Sequence, residues 1–156
     1  MRAVIQRVSS ASILIKNNTY STIESGYLIL LGVETNDTNE DASWLAQKIS
    51  KLRLFADSFG NMNSSINEIN GEILVVSQFT LHAKTKKGNR PSFIKAAKSK
   101  EAILLYQEFI TKLDMTTNKK VKSGKFGANM LIESTNDGPV TILSLIHISE
   151  PTRRTI

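Results

Sequence analysis

The chain has 156 residues, which corresponds to about one domain. Its composition, with 40% hydrophobic and 22% charged residues, is typical of a globular protein. The absence of cysteine excludes disulfides, thiolate nucleophiles and cysteine-ligated metals, and two histidines are too few for a histidine-rich metal site. The sequence has no apolar run long enough to cross a bilayer, and MRAVIQRVSS does not have the pattern of a secretory signal. We therefore expect a soluble, cytoplasmic protein without a metal ion or membrane contact.

The net charge of +6 is unevenly distributed along the chain. Residues 84–125 carry 12 Lys and Arg against 3 Asp and Glu, a balance of +9, whereas residues 1–83 have a balance of −2 and residues 126–156 one of −1. Such a basic segment indicates an anionic partner, of which nucleic acid is the commonest. The alternative is a solvated lysine face that only aids solubility.

The first part of the chain has the pattern of β-strands. Residues 2–8 and 11–15 alternate or run apolar over short lengths, and residues 19–23 form a third predicted strand after a polar turn. Gly26 opens the apolar run YLILLGV at 27–33, whose length predicts a strand buried on both faces.

A helix is predicted next. Thr38 and Asp41 have the spacing of a capping box, and apolar side chains then recur at helical spacing, at Ala42, Leu45, Ile49 and Leu52. The stretch DSFGNMN at 57–63 is rich in turn residues. Residues 73–81 (ILVVSQFTL) form a further predicted strand, which becomes polar towards its C-terminal end.

Helices and strands alternate irregularly in the remainder of the chain. Pro91 suits the first turn of a short helix, and residues 100–113 predict a longer helix with an apolar stripe at Ala102, Leu105, Tyr106, Phe109 and Leu113. Residues 129–135 and 139–143 are predicted strands joined by a turn at 136–138. This order of elements predicts a single compact α+β domain rather than regular alternation of strand and helix.

Most catalytic motifs are missing from the sequence. Neither His82 nor His147 lies in a nucleophile-elbow sequence, and neither a phosphate-binding glycine loop nor an HExxH motif occurs. What remains is a site of backbone groups and neutral hydroxyls, for which SQFT at 77–80 is the first candidate, because a buried strand would hold these groups rigidly at its end. Their backbone N–H groups could stabilise an oxyanion; alternatively, the strand merely emerges into solvent.

The second candidate segment is NDGPV at 136–140. Taken alone, it is a turn that contains Gly and Pro. About 5–6% of X-Pro bonds in folded proteins are cis, and the sequence leaves the isomer of the Gly138–Pro139 bond open.

Six segments together resemble the D-aminoacyl-tRNA deacylase family, over residues 1–142. They are MRAVIQRVSSASI, GYLILLGVE, SQFTL at 77–81, RPSF at 90–93, GKFGANM at 124–130 and NDGPVT at 136–141. The resemblance implies a homodimer with an antiparallel or mixed barrel-like sheet and flanking helices. It also implies hydrolysis of the ester between a D-amino acid and the terminal adenosine of tRNA, and of mischarged glycyl-tRNA, without a metal or organic cofactor.

The resemblance further implies roles for individual residues. The site that holds the terminal adenosine and the ester would be lined by the catalytic segment Ser77, Gln78, Phe79 and Thr80. Three groups of residues would select the amino acid. Gly138 and Pro139 match the family's cis dipeptide, which reaches into the pocket of the other subunit, and Phe126 and Met130 match residues of that pocket. Arg7 matches an arginine that braces the Gly-Pro loop.

Two mechanisms fit these residues. In the first, the Gly138 and Pro139 carbonyls hold the α-ammonium group and exclude an L side chain. Backbone N–H groups near Phe79 and Thr80 then polarise the ester carbonyl, and the tRNA 2′-hydroxyl helps to activate water. In the second, Thr80 is the nucleophile and His82 is its base, since residues two apart on a strand share a face. A non-catalytic module that binds an RNA 3′ end is the alternative from another class.

Under this resemblance the basic segment acquires a role. Phosphates of the tRNA acceptor end are expected to contact the residues that follow the site strand directly, Lys84, Lys86, Lys87 and Arg90. The lysines that precede or begin GKFGANM could do likewise, namely Lys119, Lys120, Lys122 and Lys125.

The C-terminus departs from the family's pattern. After NDGPVTI the chain continues with LSLIHISEPTRRTI at 143–156, which lacks the alternation of a closing strand. The string LSLIHISEPTR resembles an in-frame translation of a transposase adaptor used in sequencing libraries. We therefore predict a deacylase domain at 1–142 and a non-native tail at 143–156; a divergent tail is the alternative.

Overall fold

The longest N-terminal element, β1 (Arg2–Ile15), organises the sheet in the computed structural model, which describes residues 1–146. The sequence predicted two strands here, at 2–8 and 11–15. The strand is continuous instead, because neighbouring strands hold it along its length: β2 (Asn18–Ile23), β3 (Gly26–Gly32) and β8 (Leu131–Leu145) all pair with it antiparallel.

The remaining strands extend this sheet in the order β2-β1-β3-β6-β7. β6 (Glu72–Ser77) lies parallel to both β3 and β7 (Lys122–Ser123), so the sheet is mixed, and it is nearly closed like a barrel. β3 is buried over almost its whole length, as predicted for YLILLGV, because it lies between β1 and β6. The predicted turn at 57–63 connects a small hairpin, formed by β4 (Phe55–Ala56) and β5 (Met62–Ser64).

Two helices pack against one face of the sheet and form the main core with it. α1 (Asn39–Lys51) begins with the predicted capping box: Thr38 Oγ1 accepts from the Asp41 N–H, and the Asp41 carboxylate accepts from the Thr38 N–H at 2.9 Å. α2 (Ser99–Thr116) buries the apolar stripe predicted for it. The α+β class is thus confirmed.

The other face of the sheet carries a smaller apolar cluster. Side chains alternate between the two faces along a strand, so Val75 of β6 packs in the main core while its neighbours Leu74 and Val76 pack in this second cluster. Because β6 is packed on both faces, the polar residues that follow it start from a rigid support.

Three sequence-based predictions about local structure are wrong. Pro91 begins no helix within the described residues, because Lys84 and Ser92 exchange two backbone hydrogen bonds of 2.7 and 2.8 Å that hold this segment extended. β6 ends at Ser77, and Phe79–His82 forms a 3-10 helix. The strands predicted at 129–135 and 139–143 are one strand, β8, because both halves pair with β1.

β8 extends past the predicted domain boundary at residue 142. Leu143, Ser144 and Leu145 pair with β1, and Ile146 is buried. The rest of the predicted tail, residues 147–156 with His147, lies outside the described residues.

Gly26 permits the close approach of β3 to β6. A Cβ atom at this position would lie 1.7 Å from the backbone carbonyl oxygen of Glu72, its partner in the parallel register. We expect Gly26→Ala to lower the free energy of unfolding, measured by urea denaturation, by about 3 kcal/mol.

Gly60→Ala is the matched control for this substitution. No atom lies within 4 Å of a Cβ there, so only the positive φ of 81° opposes the change, and a loss of about 1 kcal/mol is expected. Equal losses in the two variants would show that the contact with Glu72 does not limit the packing of β3 on β6.

Candidate active site

The SQFT segment at 77–80 begins where β6 ends. Residues 73–76 are buried, whereas SQFT is half-buried at its start and exposed at its end. The Gln78 N–H donates to the Leu31 carbonyl oxygen of β3 at 2.7 Å, which extends the strand pairing by one residue. The 3-10 helix then turns the chain out of the sheet, so SQFT is held at a sharp change of direction.

The backbone N–H groups of Phe79 and Thr80 are the open donors of this segment. The first N–H groups of a helix have no acceptor inside it, and neither group donates to another residue in 1–146. The Thr80 hydroxyl oxygen accepts from Nε2 of Gln78. The segment therefore offers two main-chain donors whose positions do not depend on a side-chain rotamer.

A cavity of about 630 Å³ opens beside the end of β6. Its wall contains Ser77, Gln78 and Phe79 together with Phe126 and Met130, so the structure brings together two predicted groups of residues that are far apart in the sequence. Thr80, also a predicted site residue, follows this wall in the chain but does not line the cavity.

A further wall of this cavity, which was not predicted from the sequence, consists of Phe93 and residues 96–99. The Phe93 ring meets the Phe79 ring edge to face, with centroids 5.0 Å apart. The RPSF motif at 90–93 was the available signal for Phe93. Residues 96–99 could not be found from periodicity, because a backbone bond from the Ala97 N–H to the Val33 carbonyl oxygen (3.0 Å) brings them back to the cavity.

Gly138 and Pro139 lie in a bulge of β8. The pairing with β1 shifts here, so that the four residues 137–140 face the single residue Arg7. The Gly138–Pro139 bond is cis, and both residues are exposed. Neither lines the cavity described above, so the structure of one chain does not bring them together with SQFT.

Arg7 contacts this bulge through its guanidinium group. Its Nε donates to the Asp137 carbonyl oxygen at 3.1 Å, and its Nη1 donates to the Leu54 carbonyl oxygen at 2.6 Å. A Cβ at Gly138 would lie 2.9 Å from Arg7 Nη2, and Gly138 has a φ of 122°, so glycine permits this close contact. The geometry is compatible with the predicted bracing role of Arg7.

His82 lies in the interior of the protein and does not face Thr80. The prediction that the two residues share a strand face is wrong, because they belong to a 3-10 helix. His82 Nε2 is 3.0 Å from the Gly32 carbonyl oxygen, and its Nδ1 has no hydrogen-bond partner among residues 1–146. Burial lowers the pKa of His82 below its ordinary 6.5. The structure therefore does not pair the Thr80 hydroxyl with His82 as its base.

The predicted phosphate-binding side chains are exposed and lie in the loop after the 3-10 helix. They are Lys84, Lys86, Lys87 and Arg90. Within the described part of the chain none of them has an acidic partner within 4 Å, so their charge is available to an anion. Lys122 differs, because its Nζ lies 3.5 Å from the Glu72 carboxylate and donates to the Thr22 carbonyl oxygen.

The His, Asp and Glu side chains of residues 1–146 form no group of three placed to hold a metal ion. None of the helices formed by these residues has the length and apolar character needed to cross a membrane.

Comparison with known proteins assigns the family. The family model described as D-Tyr-tRNA(Tyr) deacylase matches residues 4–144. The chain belongs to this family. A D-aminoacyl-tRNA deacylase of Cytophaga hutchinsonii is 55% identical over 143 residues, which are 92% of this chain and 95% of the relative. One from Bacteroides fragilis is 56% identical over 142 residues, or 91% of this chain and 95% of the relative.

Solved structures support the deacylase fold. A structure titled "c-Myc DNA Unwinding Element Binding Protein" has a TM-score of 0.89 and 39% identity, and covers 94% of this chain and 99% of its own. The structure of a probable eukaryotic D-amino acid tRNA deacylase has a TM-score of 0.78 and covers 92% of this chain and 97% of its own chain. Because the two sequences are only 17% identical, this similarity concerns the fold alone. The resemblance inferred from the sequence motifs is confirmed.

His82 predicts a pH dependence of stability in this deacylase-family chain. Its pKa is lower in the folded state than the ordinary 6.5, so the unfolded state binds the proton more readily and stability is lost as the pH falls below about 6.5. We expect NMR titration to give His82 a pKa below 6.5, and the free energy of unfolding to decrease from pH 6.5 to 5.

His82→Gln is the matched variant for this titration. Its side-chain amide retains a donor for the Gly32 carbonyl oxygen but does not titrate, so the decrease between pH 6.5 and 5 should be smaller than in the wild type. The same pH slope in both proteins would contradict the assignment to His82.

Proposed function

We propose that the protein hydrolyses the ester between a D-amino acid and the 3′-terminal adenosine of tRNA, releasing the free D-amino acid and tRNA. One observation carries this proposal: SQFT and GKFGANM meet at one cavity, in a chain about 55% identical to a D-aminoacyl-tRNA deacylase. Mischarged glycyl-tRNA is a second proposed substrate, because glycine has no side chain for the site to exclude. The reaction removes wrongly charged tRNA before it is used in translation.

The proposed chemistry of ester cleavage uses main-chain donors. The Phe79 and Thr80 N–H groups have no acceptor within residues 1–146 and can donate to the ester carbonyl oxygen, which gains negative charge as water attacks. The water oxygen bonds to the carbonyl carbon, the bond to the 3′-oxygen breaks, and a water proton passes to that oxygen. The neighbouring 2′-hydroxyl of the tRNA assists this transfer, while Ser77 and Gln78 help to hold the terminal adenosine.

Selection of the D configuration is proposed to come from a second copy of the chain. Gly138 and Pro139 are exposed and lie outside their own cavity, so in a homodimer they can enter the cavity of the partner, beside Phe126 and Met130. Their carbonyl oxygens would accept hydrogen bonds from the α-ammonium group and leave no room for an L side chain. Arg7 would keep the bulge in position through its contact with Asp137.

The tRNA is proposed to be held through its phosphates. The exposed cations of the loop after SQFT lack acidic partners in the described structure and follow the site directly in the chain; they are Lys84, Lys86, Lys87 and Arg90. Contacts of this kind give affinity without sequence specificity. The proposed reaction consumes water and needs no organic cofactor, and its place is the cytoplasm, where charged tRNA is used.

Incubation with D-Tyr-tRNA and L-Tyr-tRNA tests the proposed function directly. We expect release of D-tyrosine only, because the L side chain would collide with the main-chain carbonyls. The measurement is the amount of tyrosine released over time, with the uncatalysed rate subtracted. Binding of both tRNAs without release from either would instead support a non-catalytic module that binds an RNA 3′ end.

Thr80→Ala tests the role of the Thr80 hydroxyl. The substitution retains the Thr80 N–H, so we expect kcat for D-Tyr-tRNA to stay within about tenfold of the wild type. Loss of a true nucleophile lowers kcat by about 10⁴-fold or more, and such a loss would overturn the main-chain mechanism.

Two substitutions at Phe79 complete this experiment. Phe79→Ala removes the ring but keeps the N–H, whereas Phe79→Pro removes both, at the first position of the 3-10 helix where proline is tolerated. We expect Phe79→Pro to have a kcat about 10²-fold lower than Phe79→Ala, the effect of removing one oxyanion donor. Equal kcat values would exclude this N–H as a donor.

A further inference from the structure

A second cavity lies on the other side of Phe126 from the candidate active site. It is a groove of about 680 Å³ between α2, the edge residue Tyr20 of β2, and residues 123–126. Phe126 lines both cavities, and its ring lies 5.6 Å from the Tyr106 ring, centroid to centroid. The groove therefore adjoins the active site, with one aromatic side chain between the two cavities.

The groove has an apolar floor and polar groups that are not used within the protein. Ile103 and Ile110, one helical face of α2, line it together with Gln107 and Thr111 from the same face. The side chains of Gln107, Thr111 and Lys125 make no hydrogen bond or ion pair with any described residue. They are available to a polar, anionic ligand.

Tyr20 supplies an aromatic surface at the entrance of this groove. Its side chain is 52% exposed, and among residues 1–146 no aromatic ring packs against it. An exposed aromatic ring beside a lysine is the combination that binds single-stranded nucleic acid, because a base stacks on the ring and the cation contacts a phosphate.

We propose that this groove holds the nucleotide that precedes the terminal adenosine of the tRNA substrate, with its base on the Tyr20 ring and its phosphate near Lys125. This inference rests on the proposed function. The amino acid forms one end of that substrate and is attached to the terminal adenosine. On the other side of this adenosine, the substrate consists only of the RNA strand. A groove that adjoins the active site and is lined mostly by residues of the basic part of the chain therefore fits the RNA strand.

The inference can be tested with two non-hydrolysable ligands. One is 3′-amino-adenosine carrying D-tyrosine through an amide, and the other carries the same group on the dinucleotide cytidylyl-adenosine. Isothermal calorimetry should show that the wild type binds the dinucleotide ligand more tightly. We expect Tyr20→Ala to weaken this ligand about tenfold and to leave the mononucleotide ligand unchanged.

Phe59→Ala is the matched control, because Phe59 is an exposed aromatic residue on the turn between β4 and β5, and it should leave both affinities unchanged. Lys125→Ala should reduce the salt dependence of binding to D-Tyr-tRNA by about one unit of slope. Sedimentation of Tyr20→Ala should match the wild type, since the groove is not expected to be covered by a second copy.

The outcomes separate this inference from the proposed function. If the wild type hydrolyses D-Tyr-tRNA but gains no affinity from the added nucleotide, or if Tyr20→Ala keeps the gain, the inference is overturned and the proposed function stands. A change of oligomeric state in Tyr20→Ala, or an unchanged salt slope in Lys125→Ala, also overturns it. If D-Tyr-tRNA is not hydrolysed and the mononucleotide ligand does not bind, the proposed function itself fails.

Discussion

The pairing of β6 with β3 is the constraint on which the site depends. β6 has parallel neighbours on both edges and apolar side chains packed on both faces. The hydrogen bond from the Gln78 N–H to the Leu31 carbonyl oxygen extends the pairing with β3 one residue beyond the end of β6. Since the 3-10 helix begins immediately afterwards, main chain alone positions the N–H group of Phe79, which lines the cavity, and that of Thr80, which follows it.

Main-chain groups are the common feature of the two halves of the proposed site. In the proposed mechanism, donors at Phe79 and Thr80 would act on the ester, and the carbonyl oxygens of Gly138 and Pro139 would act on the amino acid. Because peptide groups have no rotamers, their placement follows directly from strand pairing and from supports such as Arg7. A reaction of this kind requires no acidic pair, which agrees with a sequence in which the familiar catalytic motifs are missing.

Tyr106 connects the active site with the neighbouring groove. Its hydroxyl donates to the Val75 carbonyl oxygen of β6 at 3.0 Å and to that of Gly124 at 3.3 Å, so it joins the site strand to the start of GKFGANM. Burial raises the pKa of Tyr106 to about 12, and the hydroxyl therefore remains a neutral donor at physiological pH. The ring beside Phe126 makes the partition between the two cavities part of the core.

The sequence by itself determined the features that depend on neighbouring residues. The capping box at Thr38, the buried stripe of α2 and the buried run of β3 follow from spacing along the chain, and the motifs identified the family. Other features were decided only by the tertiary structure. β8 is one strand with a bulge opposite Arg7, and Phe93 returns to the cavity. The chain leaves the sheet after Ser77, and His82 then turns into the interior. These features depend on backbone hydrogen bonds between residues far apart in the sequence, and neither hydrophobic periodicity nor turn propensity contains information about such partners.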